Sequence, residues 1–213
     1  MTRPRILKEN ETYTFRRYYE LKYAVADILH ELGTSLRKEE MKLPTSSQST
    51  RLEDLRERIR DGIACVSLNS EAARREVLIA PTLLEVARVT KSTIDIEYSI
   101  EVSRYLKGDL DYYLRSQHSM LIVEAKQADL TRGFTQLAVE LIALDGWIES
   151  DETILYGAVT TGDIWQFGSF ERSTRIVTQD LMLYRVPTDL QLLLPILIGI
   201  LTQNTDTSSI PAT

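Results

Sequence analysis

A chain of 213 residues, 43% hydrophobic and 26% charged, has the composition of a soluble globular protein and the length of one domain with a real core. A single cysteine, Cys65, excludes an intramolecular disulfide and a cysteine-based zinc site. The net charge of -6 weighs against a nucleic-acid partner, but residues 1–91 carry 17 Lys/Arg against 14 Asp/Glu while residues 92–213 carry 8 against 17. Arg16–Arg17, Arg37–Lys38, the run Arg51, Arg56, Arg58 and Arg60, and Arg74–Arg75 can face phosphates, or can be solvated helix faces laced with glutamates. No N-terminal basic stretch leads into an apolar run, so no signal peptide is expected. The most apolar segment, Leu190 to Leu201, is too short to span a bilayer and contains Gln191 and Pro195; it reads as a buried helix or an oligomer interface. A cytoplasmic protein without membrane contact is expected.

In chain order, Tyr13 to Leu32 reads as one helix stopped by Gly33. Thr34 to Thr50 is polar, holds Pro44 and reads as a loop. Leu52 to Val66 is a second helix, and Ser70 can cap a third that starts at Glu71 and kinks or restarts at Pro81. The pattern then changes. Thr93 to Ser103, Leu110 to Arg115 and Met120 to Lys126 read as strands. Thr131 to Ile148 is a long helix. Thr153 to Thr160 and Ile164 to Phe170 form a hairpin around Gly162–Asp163, followed by a strand region from Thr174 to Val186 and a last helix from Asp189 to Gln203. This order predicts an α+β fold, a mixed central sheet with helical cover. It divides as residues 1–69, an N-terminal helical extension packed on the core; 70–203, the core; and 204–213, a disordered tail.

Chemistry concentrates in Gly108-Asp109-Leu110-Asp111-Tyr112-Tyr113-Leu114 and Leu121-Ile122-Val123-Glu124-Ala125-Lys126-Gln127. If these strands form a hairpin closed by Ser116–Ser119, Arg115 faces Met120 and Asp111 falls opposite Glu124. Alternation then puts Asp111, Tyr113, Ile122, Glu124 and Lys126 on one face, and Leu110, Tyr112, Leu114, Leu121, Val123 and Ala125 on the other. Two carboxylates opposed across strands repel. A Mg²⁺ or Mn²⁺ ion would remove that repulsion, activate water and neutralise charge developing on a phosphate. Lys126, on the same face, would orient the water or stabilise that charge. The plainer alternative is a surface face on which Lys126 pairs with Glu124 or Asp111.

Asp-Tyr, a dozen residues and an apolar run into Glu-Ala-Lys resembles the PD-(D/E)XK nuclease superfamily. Ser70-Glu71-Ala72-Ala73-Arg74, then Leu78-Ile79-Ala80-Pro81-Thr82-Leu83-Leu84, is similar to the helix that precedes the core sheet in type I restriction-enzyme nuclease domains and their stand-alone relatives. The resemblance covers roughly residues 70 to 186 and implies a restriction endonuclease-like sheet and metal-dependent hydrolysis of DNA phosphodiesters. It implies metal ligation by Asp111, Glu124 and a helix glutamate, with Glu71 the better match and Glu76 the second. It implies a supporting role for Gln136 on the helix after the Glu-x-Lys strand. The proline that precedes the motif aspartate in the family is Leu110 here, and Asp109 is an alternative ligand.

His30 and His118 lack Cys or His partners at ligand spacing, and no phosphate-binding glycine loop or serine-hydrolase elbow is present. Two functions follow: a Mg²⁺-dependent DNA endonuclease, with a homodimer as one way for a single site per chain to cut both strands, or an inactive module of the same fold used for DNA binding or protein assembly.

Overall fold

The structure is a computed structural model that describes residues 5–117, 119–126 and 128–203. His118 and the expected tail lie outside the described residues. The N-terminal segment differs most from expectation. Helices α1 (Phe15–Glu20) and α2 (Val25–Glu31) replace the single helix, because Leu21 and Ala24 are extended. The break lets each short helix bury its own apolar pair, Phe15 and Tyr18 in α1 and Ile28 and Leu29 in α2. Gly33, at φ +69, ends α2 in the left-handed conformation expected of a helix stop. Within the expected loop lies strand β1 (Ser35–Glu39), so the first 69 residues are not helical throughout.

Helix α3 (Leu52–Cys65) follows. Ser70 caps α4 (Glu71–Arg74), its hydroxyl accepting from the Ala73 N–H at 3.1 Å. The disturbance expected at Pro81 takes the form of a π-helical turn, Arg75–Ile79, that leads into α5 (Ala80–Thr90). In that turn the Ala80 N–H reaches back to the Arg75 carbonyl. Then come β2 (Thr93–Ser103), β3 (Leu106–Arg115), β4 (Met120–Ala125), α6 (Leu130–Trp147), β5 (Ile154–Thr160), β6 (Ile164–Glu171), β7 (Ile176–Asp180), β8 (Tyr184–Arg185) and α7 (Leu190–Thr202). The expected strand region from Thr174 to Val186 is thus two strands, the second only two residues long.

Among the described residues the strands form one mixed sheet in the order β1-β7-β6-β5-β4-β3-β2, with β8 alongside β6. The chain has an α+β fold. Pairs β4–β5 and β1–β7 are parallel and the rest antiparallel. Helix α6 makes the crossover that the parallel β4–β5 pair requires. It covers one face, where Phe134, Leu137 and Leu141 pack with Tyr113, Ile122, Val159, Phe15 and Tyr18. The opposite face is covered by α3, α5 and α7, where Leu83, Val86, Leu193, Leu197 and Ile200 pack with Leu114, Leu121, Val123 and Phe167. Leu190 to Leu201 is therefore a buried helix. Among the described residues, no helix is long and apolar enough to cross a membrane.

The β3–β4 ladder has the expected offset, with Arg115 opposite Met120, but it ends at Tyr112–Val123, so the expected pairing of Asp111 with Glu124 is not part of it. The alternation fails at one point. Leu110 packs in the α6-side core with Tyr113 and Ile122, not with Tyr112 and Leu114. The cause lies at the β2–β3 ladder, which pairs Ile96 with Tyr112 and Tyr98 with Leu110 but skips Glu97 and Asp111. Glu97 is left-handed there, at φ 55. This irregularity turns the strand over at Asp111, and local irregularities of this kind re-aim side chains.

Candidate active site

Strand β4 is central, and apolar contacts on both sides of it leave Glu124 without solvent exposure. Isolated burial of a carboxylate is costly, so its partners decide what it does. One oxygen, Oε1, forms a close ion pair with Lys126 Nζ and accepts from Gln136 Nε2 at 2.6 Å. The other, Oε2, has no hydrogen-bond partner. Asp111 stands at the strand irregularity. Its Oδ2 accepts from the Ala125 N–H at 2.8 Å, and its Oδ1 lies 3.8 Å from Arg75 Nη1. The Asp111 side chain thus spans from the Glu124–Lys126 strand to the π-helical turn.

Gln136 projects from α6 and donates through Nε2 to two carboxylates, Glu124 and Glu140, the latter at 2.8 Å. Glu140 is fully buried and its Oε2 also lacks a partner. Burial raises Glu124 well above the usual carboxylate range, and the charges of Glu140 and Asp111 add to this while Lys126 opposes it. Burial likewise raises Glu140. Burial alone would lower Lys126, but the charges of Glu124, Asp111 and Glu140 outweigh it and hold the ammonium above its ordinary value. Lys126 is then a cation at neutral pH, not a general base.

A cleft of about 730 Å³ opens on this group. Glu71, Asp111, Glu124, Lys126 and Gln136 all line it, so the five residues expected from sequence meet in one place. Glu71 reaches it from the first turn of α4, while Glu76 is exposed and is not among the lining residues. Asp109 borders the cleft too, but its carboxylate accepts from the Ser99 hydroxyl in a close contact on the exposed side of β3. His30 is exposed near the end of α2, away from the cleft.

Two carboxylates from adjacent strands, one with an unpartnered buried oxygen, suit a divalent cation that takes the rest of its shell from water and substrate. Glu71 does not complete a cluster with them. Among the described residues, no three His, Cys, Asp or Glu side chains stand close enough together to hold a metal.

Three further side chains belong to the site, and the sequence reading gave them no place in it. Arg75 donates to the Tyr112 hydroxyl at 3.2 Å, lies 5.0 Å from the Tyr112 ring centre and ion-pairs with Glu97 at 3.4 Å. Its position depends on the π-helical turn, which has no sequence signature beyond Pro81. Glu140 was legible as the one charged residue in the run Leu137 to Leu144, four residues from Gln136 on the same helical face. Tyr19, in the cleft wall, stands with its ring centre 5.2 Å from Lys126 Nζ.

No family model matches the chain, and a search of curated proteins finds no match.

Proposed function

We propose that the chain is a metal-dependent DNA endonuclease of the PD-(D/E)XK type, hydrolysing phosphodiester bonds in the cleft that holds Asp111, Glu124 and Lys126. The observation that carries this reading is Glu124. It is a fully buried carboxylate with one oxygen bound by Lys126 and Gln136 and the other unpartnered, next in the chain to Ala125, whose N–H donates to Asp111. A buried acid in that state, beside a second acid, is a costly arrangement that a cation would relieve. Asp111 and Glu124 would hold Mg²⁺ or Mn²⁺, which supplies Lewis-acid polarisation of a phosphate oxygen and a more acidic water. Lys126, fixed beside Glu124 and charged, orients the attacking water or balances charge that gathers on the phosphate. Gln136 fixes the Glu124 carboxylate by its amide. Glu71 faces the same cleft from α4 and assists through water. In the same reading the protein acts in the cytoplasm, and a homodimer supplies the second site for a double-strand cut.

A second reading, an inactive module that binds DNA or assembles with protein, has one observation in its favour: Lys126 and Arg75 already sit against Glu124 and Asp111. Incubation of the purified protein with single- and double-stranded DNA and Mg²⁺ or Mn²⁺ separates the two. Cleavage is expected, with a loss of about a hundred-fold or more in Lys126→Ala and Asp111→Ala. A wild-type protein that cuts neither substrate with either ion overturns the nuclease reading.

A further inference from the structure

Helix α1 is built into the cleft wall. Phe15 and Tyr18 point inward and are fully buried, and the Tyr18 hydroxyl donates to the Tyr105 carbonyl at 2.8 Å. Gly108, at φ +140, lets the strand approach so closely that a Cβ there would sit 3.0 Å from the Phe15 ring. With these two residues as anchors, helical spacing turns Arg16 and Glu20 to the opposite side and leaves Tyr19, one turn after Phe15, on the flank between; all three line the cleft. Among the described residues Arg16 makes no ion pair and the Tyr19 hydroxyl no hydrogen bond. Tyr19 is half-buried and lines the cleft.

We infer that α1 is a single-strand binding wall, with Tyr19 a stacking platform for one unpaired nucleobase and Arg16 the contact for the neighbouring phosphate. This rests on the nuclease reading for the place of the scissile bond, which Lys126 marks. The Lys126 ammonium lies over the Tyr19 ring, 5.2 Å from its centre, so a base that stacks on Tyr19 comes next to it. Bases within a duplex are already stacked on their neighbours and present no free face, so only a single strand, a flap or a frayed end can use the ring. The substrate class is therefore single-stranded DNA or a junction with unpaired nucleotides.

The test is fluorescence anisotropy with a labelled DNA oligonucleotide, single-stranded or annealed to its complement, with Ca²⁺ in place of Mg²⁺. Cleavage of both forms in Mg²⁺ is followed in parallel. Wild-type protein is expected to bind the single strand at least ten-fold more tightly than the duplex. Tyr19→Ala should weaken single-strand binding about ten-fold or more, and Tyr19→Phe should restore it. Arg16→Ala, at an exposed position that does not threaten folding, should lower affinity and reduce the salt dependence by about one counterion. Equal affinity for the two forms, or single-strand affinity unchanged in a folded Tyr19→Ala, overturns the inference even if the protein cuts DNA. Absence of cleavage with a Tyr19-dependent single-strand preference would instead sink the nuclease reading and leave the binding wall standing.

Discussion

Glu140 carries a heavy electrostatic cost for a residue that never reaches the cleft surface. Its carboxyl is fully buried, with one oxygen bonded to Gln136 and the other unpartnered. Burial pushes it up to about 7 from an ordinary 4.5. An acid raised in the folded state holds a proton that the unfolded chain releases. Its stabilising contribution is therefore complete below pH 4.5 and is lost as pH rises through about 7. Chelator-treated protein should lose stability across that window, and Glu140→Gln should flatten the loss. Urea midpoints at a series of pH values would show this, and an equally steep decline in the variant would count against it. Gln136 was legible in the sequence by its place after the Glu-x-Lys strand. Glu140 stands out in its apolar run only as a lone charge, and the contact with Gln136 reveals what the acid does.

The distance between α6 and the sheet is set by missing side chains. A Cβ on Gly157 would lie 2.6 Å from Leu137 Cδ1, and one on Gly133 would lie 2.7 Å from Val159 Cγ2 and 2.9 Å from Lys126 Cγ. These glycines let the helix settle close enough for Gln136 to reach Glu124 at 2.6 Å. Gly157→Ala should push the helix outward, cost about 1–3 kcal/mol in chemical denaturation and lower DNA cleavage more than it lowers DNA binding. Unchanged stability and activity would show that α6 has room to spare. The long elements were readable because their patterns are strong: β2 agrees with expectation at both ends, and α3 and α6 to within a residue. Strand β1 was not, because Ser-Leu-Arg-Lys-Glu has one apolar residue and no alternation. It is a strand by backbone pairing with β7, and its charged side chains suit an edge. The face reversal at Asp111 was equally hidden, since it depends on the left-handed Glu97 of the neighbouring strand.

At the scale of the whole molecule, one sheet separates two cores and ties them together. Leu114 and Leu121 face the α7 side while Tyr113 and Ile122, their immediate neighbours, face α6. Neither core can loosen without disturbing strands the other needs. Leu197→Ala in α7 should cost about 2–5 kcal/mol. It should shift fluorescence and circular dichroism transitions together, as a single cooperative unit requires. Transitions that separate would mean that the α7 side melts alone. The α+β class was legible from the succession of periodicities, and the apolar strength of α7 from its composition. The order of the strands was not, because nothing local in Ser35–Glu39 names a partner near residue 178.

That partnership bears on how the molecule is made. The Met41 N–H donates to the Asp180 carboxylate, 139 residues further along, and β1 pairs with the similarly distant β7, Ser35 with Ile176 through Glu39 with Asp180. A ribosome adding residues one after another releases β1 long before its neighbour exists. The segment must wait, unpaired, while β2 to β6 and α6 assemble the middle of the molecule. The outer strand thus cannot join the sheet before β7 is made, and the nascent chain must keep a ready-made pairing surface from other strands in the meantime. The lysine, arginine and glutamate of β1, which weaken it as a sheet signal, are what make that wait safe.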